Sequence, residues 1–186
     1  MTALKLNIGA GPVRIEGYTD IDRLNGDEAY PLTGYEDDSV EEIRASHILE
    51  HFGHGEIQAV MTEWIRVLKP GGKIYVAVPN FGYIAEQYQR ADPKGKPRLM
   101  LFSFAMGGQT TPDDFHRSAW DETMLRDLMM ELLLIGCGEA ISIGCVREVA
   151  ASSLSEEIAA LLGNSKHLNN VRSIILGSDQ FPLYTF

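Results

Sequence analysis

Four of the five histidines in this 186-residue chain stand where they invite chemistry. His47, His51 and His54 crowd one stretch, and His116 stands in DDFHRSAW. A histidine titrates near neutrality, so it is the natural helper where a hydroxyl must lose a proton. His47 and His116 are therefore the candidate catalytic residues, with Asp113 or Asp114 expected to orient His116. Side chains four apart on a helix share a face, so His47, His51 and His54 also raise a zinc reading. No cysteine lies near them and Gly53 and Gly55 would break the helix, so no metal is expected. His51 then reads as a residue packed at a strand-to-helix turn, and His54 as a solvated one. Cys137 and Cys145 fit no zinc or redox spacing and read as reduced core thiols.

A second group lies near the start. Asn7 to Pro12, NIGAGP, is a glycine turn in which missing side chains let the backbone approach a ligand. The dinucleotide fingerprint needs a third glycine where Arg14 stands, so a nicotinamide oxidoreductase loses support. Asp22 ends a strand candidate, where a carboxylate can accept hydrogen bonds from both ribose hydroxyls of a nucleoside, and Asp20 competes for that role.

These residues need elements to hold them. Leu4, Leu6 and Ile8 alternate with polar residues and read as a first strand emptying into the glycine turn. Tyr18 to Asp22 and Val40 to Ser46 are further strands. Only eleven residues separate Gly11 from Asp22, so a helix between the first two strands must be cut to about one turn. From Glu56 to Lys69 the residues Ile57, Val60, Met61, Trp64, Ile65 and Leu68 make one apolar helical stripe. Pro70, Gly71 and Gly72 stop it, and Ile74 to Val78 follows as a strand apolar enough to be covered on both faces. Strand, helix, strand implies a parallel pair and a right-handed crossover, hence a doubly wound, mostly parallel α/β sheet.

Beyond Pro79 the pattern loosens. A short helix is expected at Tyr83 to Arg90, then loop chemistry in ADPKGKP and GGQTTPDD. A long irregular stretch in a compact domain is usually functional, and residues 81–118 read as a lid and acceptor insertion. Its walls would be Tyr83, Tyr88, Phe102, Phe104 and Phe115, with Gly107 and Gly108 as hinge; a rigid insertion or a homodimer contact is the alternative. Asp121 is the expected N-cap of a helix striped by Met124, Leu125, Leu128, Met129, Leu132 and Ile135, closed by Gly136. Ala140 to Val146 and Val171 to Leu176 read as strands, and Leu154 to Leu162 as a helix with a Ser153/Glu156 capping box.

Composition narrows the classes. With 45% hydrophobic and 23% charged residues the chain can bury a full core as a single domain, so disorder and disulfide scaffolds are excluded. The net charge of −10 opposes a phosphodiester backbone, so no nucleic-acid partner is expected. The apolar runs are too short for a membrane span and the start lacks a signal-peptide pattern, which predicts a cytoplasmic protein without a membrane partner.

The blocks LNIGAGP, GYTDID, DDSVEEIRASHILEHF and RVLKPGGKIYVAVPN, in that order, resemble the short branch of the Rossmann-like (class I) S-adenosylmethionine-dependent methyltransferases. The likeness covers residues 4 to about 80, and FHRSAWDETMLRDLMMELLLIG near 115–136. It departs at Ala10, often a cysteine in that branch, and in residues 147–186, an unrecognised C-terminal extension. The resemblance implies S-adenosylmethionine as cofactor. It would set Gly9, Ala10 and Gly11 against the methionine end, Asp22 on the ribose, Asp27 and Leu32 near the adenine, and Ser46 and His47 along the other side. It implies methyl transfer to a small-molecule or saccharide acceptor. The N/D-P-P-Y/F signature of amino-directed members is absent, which favours oxygen. A non-catalytic cofactor-binding module or partner subunit is the alternative reading.

Overall fold

The computed structural model describes residues 3–91, 93–94 and 96–134. The expectations for Cys137, Cys145, Ala140 to Val146, Leu154 to Leu162 and Val171 to Leu176 lie outside the described residues.

Four strands, β1 (Lys5–Ile8), β2 (Thr19–Ile21), β3 (Val40–Ser46) and β4 (Leu68–Ala77), form one sheet in the order β2-β1-β3-β4. Every pairing is parallel. The chain therefore winds outward from β1 in one direction, returns, and winds outward in the other. The doubly wound α/β expectation is met. In such a sheet the C-terminal strand ends lie along one edge, and the switch between β1 and β3 opens the ligand crevice there.

Alternation sorts the strands into two faces. Leu6, Ile8, Ile43, Ala45, Ile74 and Val76 stand in register on one face, all 0% exposed. Against it packs α1 (Ile57–Val67), through Ile57, Val60, Met61, Trp64 and Val67 at helical spacing. Leu125, Met129 and Leu132 of α4 (Glu122–Leu134) join the same core. Asp121 caps α4 as expected, its Oδ1 accepting from the Met124 N–H at 2.8 Å.

The opposite face is polar. The Lys5 ammonium reaches Glu42 at 3.4 Å, Arg44 donates to Asn7 Oδ1 at 2.9 Å, and Asn7 donates to Asp20 at 2.8 Å. Tyr75 stands level with Arg44 on this face and is half-buried, so β4 is not apolar on both sides. This polar face explains a further correction. The shortened first helix does not form: residues 11–18 are turns and irregular loop, with positive φ at Gly11 and Gly17. In place of an apolar helix, that crossover supplies Arg14 to Asp20 at 3.3 Å and the Tyr18 hydroxyl to Glu42. Burial, and then the Glu42 carboxylate, push the Tyr18 phenol above its ordinary range.

Helix α1 ends at Val67, two residues before the expected boundary. Pro70 disfavours helical geometry at Lys69, and the chain passes directly into β4 at Leu68. The Pro-Gly-Gly segment is taken up as an irregularity, with Val40 opposite Leu68 but Glu42 opposite Lys73. Gly71 has φ +78°, and a Cβ on Gly72 would lie 2.8 Å from the Lys69 carbonyl oxygen.

The stretch after β4 is more regular than the sequence suggests. Phe81–Arg90 forms α2, capped by Asn80, and Lys96–Met106 forms α3, which periodicity does not announce. Among the described residues no helix is long and apolar enough to cross a membrane.

Candidate active site

The glycine turn leaves β1 at the crevice edge. Gly9 and Ala10 donate backbone N–H groups to the Ile21 carbonyl at 2.9 and 3.4 Å, tying the turn to the end of β2. Gly9 has φ +67°, and a Cβ there would meet the Ile48 Cβ at 2.6 Å; only glycine lets the segment after β3 come so close. Gly11 has φ +53°, yet nothing lies within 4 Å of where its Cβ would be. Nothing therefore blocks a ligand from approaching that stretch of backbone.

Asp22 follows β2 at once. Its Oδ2 accepts from the Gly11 N–H at 2.7 Å and its Oδ1 from the Leu24 N–H at 2.9 Å, so it fixes the glycine turn and caps the short 3-10 turn Arg23–Asn25. Each oxygen keeps a lone pair for a further donor. Asp20 points to the polar face, where Asn7 and Arg14 hold it. Asp27 is exposed, its N–H donating to the Asp22 carbonyl at 3.1 Å. Leu32 is 2% exposed and belongs to the core. Its loop is bolted to α1: Glu63 accepts from the Leu32 N–H at 2.9 Å, and Arg66 reaches Glu63 at 2.8 Å and the Tyr35 carbonyl at 3.1 Å. The Arg66 hydrogen bond holds the Glu63 carboxyl below the usual carboxylate range.

Across the crevice, Ser46 ends β3 and His47 follows with φ +55°, uncommon for any residue but glycine. Backbone strain of this kind clusters at functional sites. The His47 N–H donates to the Ala77 carbonyl at 2.9 Å, and its exposed ring sets Nδ1 3.2 Å from Glu50 Oε1. Glu50 is 1% exposed. Its carbonyl accepts the N–H groups of Arg117 and Ser118 at 2.8 and 3.1 Å, which pins the FHRSAW segment over the end of β3. His116 is thereby brought to His51, ring centroids 5.0 Å apart and edge to face. Burial pushes the His116 imidazole below its ordinary pKa, while the Glu50 charge opposes that shift.

Neither Asp113 nor Asp114 orients His116. Asp113 pairs with Arg23, and Asp114 is occupied by Thr110 and Gly108. The Ala105 carbonyl does the work instead, 3.3 Å from Nδ1. Gly107 and Gly108 are explained by close approach rather than by a hinge, since a Cβ on either would lie within 2.5 Å of Asp114 atoms. Sequence reasoning also missed Glu50 as a site residue. Its signal was present: an acidic residue between two apolar neighbours and His51, three after His47.

Residues 16–76 match the family model of a methyltransferase domain. The match covers about a third of the chain, which over those residues is similar to a methyltransferase domain, and the all-parallel α/β sheet agrees with a Rossmann-like methyltransferase fold. The match spans β2, β3, α1 and most of β4, while the glycine turn and His116 lie outside it. No curated protein and no solved structure matches the chain.

Domains of that family typically use S-adenosylmethionine, and the residues here fit it. The cradle at Gly11 is open, the Asp22 carboxylate is at the strand end, and no helix starts from the glycine turn among the described residues. Dinucleotides rest their pyrophosphate on a helix N-terminus. A cofactor without phosphate has no need of one.

Proposed function

We propose that the protein transfers a methyl group from S-adenosylmethionine to an oxygen of a small-molecule or saccharide acceptor. Gly9, Ala10 and Gly11 hold the methionine end through their backbone, and Asp22 accepts from the ribose hydroxyls. Asp27 and the loop that Leu32 anchors border the adenine, and Ser46 and His47 line the opposite wall. The observation that carries the reading is the exposed His47 ring standing on the buried Glu50 carboxylate, beside the glycine cradle.

When bound, the cofactor supplies a methyl group on a sulfonium, already reactive, so that the protein chiefly orients the acceptor and excludes water. The acceptor oxygen forms its bond to the methyl carbon as the carbon–sulfur bond breaks, leaving its electron pair on sulfur. With Glu50 accepting from Nδ1–H, His47 presents the Nε2 lone pair and takes the hydroxyl proton. His116, kept neutral by burial, is the second proton acceptor, deeper in the site. Residues 81–118 form the acceptor wall and lid. The half-exposed rings of Tyr83, Tyr88, Phe102, Phe104 and Phe115 suit the C–H face of a sugar.

The test is turnover of methyl-labelled S-adenosylmethionine with a panel of hydroxylated small molecules and sugars, against matched amines. Label in the hydroxyl compounds supports the reading. Label confined to amines would refute the oxygen assignment, and cofactor binding without transfer to any acceptor would favour a binding module.

A further inference from the structure

We propose that Glu50, His51 and His116 form a binding site for one divalent transition-metal ion of the zinc class. Each offers one ligand atom, and those atoms all lie within 4.8 Å of one another. Two of the three residues carry an orphaned buried atom. Glu50 is 1% exposed, and its Oε2 has no hydrogen-bond partner; the buried His51 Nδ1 has none either. An unsatisfied buried polar atom is costly to leave without a partner. A single cation between these residues would satisfy both at once.

The third residue is prepared in the manner of a metal-binding histidine. A carbonyl oxygen only accepts, so the contact from Ala105 at 3.3 Å places the hydrogen on His116 Nδ1 and leaves the lone pair on Nε2. Such a backbone partner fixes the tautomer and ring orientation of ligating histidines. The pairing of Arg117 and Ser118 with the Glu50 carbonyl holds the two chain segments in place.

Ligand chemistry selects the ion. Two imidazoles and one carboxylate suit zinc and its neighbours, whereas calcium and magnesium prefer shells made of oxygen. Ligand atoms of one tetrahedral zinc stand roughly 3.3 Å apart, so the site closes by about 1.5 Å at most when the ion enters. Three protein ligands leave a position open. On the methyl-transfer reading, on which this last step rests, that position takes the acceptor hydroxyl, lowers its pKa and hands its proton to His47; with the ion bound, His116 acts as a ligand and His47 alone accepts the proton.

The experiment uses the full chain without an affinity tag, stripped by a chelator and titrated with cobalt(II) and zinc chloride. One equivalent of cobalt should bind with visible d–d absorption that zinc abolishes. Glu50→Gln and His116→Asn should each weaken the affinity about 100-fold, while His54→Gln, outside the cluster, leaves it unchanged. Should either variant fail to fold by circular dichroism, His51→Ala is read in its place. No saturable cobalt binding by the wild type, or wild-type affinity in the cluster variants, overturns the site. S-adenosylhomocysteine binding, measured on the stripped protein, separates the two readings: cofactor without cobalt sinks the metal alone, and cobalt without cofactor sinks the methyl-transfer reading alone.

Discussion

On the β1–β2 side of the crevice, the groups proposed to face the cofactor are neighbours in sequence: Gly9, Ala10 and Gly11 on one turn, and Asp22 eleven residues on, bonded directly to the Gly11 N–H. On the β3 side the working groups meet from far apart, with Ser118 hydrogen-bonded to a Glu50 that precedes it by 68 residues. The first wall is backbone laid on a buried core; the second is side chains held by a long-range clasp. On the proposed function, the difference divides binding from chemistry between the two walls. Damage to the first should cost affinity, and damage to the second should cost rate.

The largest effect should come from below both walls. Trp64 is 0% exposed, and its indole donates to the Ala29 carbonyl at 2.7 Å, so Trp64→Ala should destabilise the fold by about 3–5 kcal/mol. Denaturant unfolding measures it, and a loss under about 1 kcal/mol would mean that α1 is not the support of the adenine-side loop. Next, His116→Ala should lower turnover on the order of 100-fold while S-adenosylhomocysteine affinity holds. An equal loss of affinity would erase the distinction between the walls.

Asp22→Ala should show the reverse pattern. Loss of a charged hydrogen-bond partner costs roughly 1.5–3 kcal/mol, so binding should weaken at least about tenfold. Asp20→Asn is the control, since its bonds to Asn7 and Arg14 serve the polar face of the sheet; a larger affinity loss there would move the ribose grip by one pleat. Smaller still is a pH effect. His116 has a pKa below its unfolded value, so the unfolded chain takes up its proton first on acidification. Stability should be intact above about pH 6.5 and fall as pH drops through the depressed folded value. His116→Gln should flatten that slope, and an unchanged slope would place the titration elsewhere. Arg23→Ala, which removes an exposed pair with Asp113, should cost at most about 1 kcal/mol.

Legibility in the sequence follows the same division. The strands of the sheet and α1 were readable because alternation and a helical stripe are local, and Asp121 announced α4. Helix α3 was not, because Leu99, Met100, Leu101, Phe102, Phe104 and Met106 give it no single apolar face. The missing first helix followed from a polar sheet face whose pairs, Lys5 with Glu42 and Asn7 with Arg44, exist only once the strands are in register. Likewise the place of Glu50 in the site and the true partner of His116 escaped the sequence. Both depend on the backbone clasp of Arg117 and Ser118, which no local pattern encodes.

Titration calorimetry of the full chain with S-adenosylhomocysteine, with NAD as comparison, tests the central claim that this crevice holds a phosphate-free nucleoside cofactor. One equivalent should bind with measurable heat and a thermal shift, about 2.7 kcal/mol of stabilisation at a hundredfold excess over Kd, and NAD should give neither. Heat with NAD, or none with S-adenosylhomocysteine at millimolar concentration, would contradict the account.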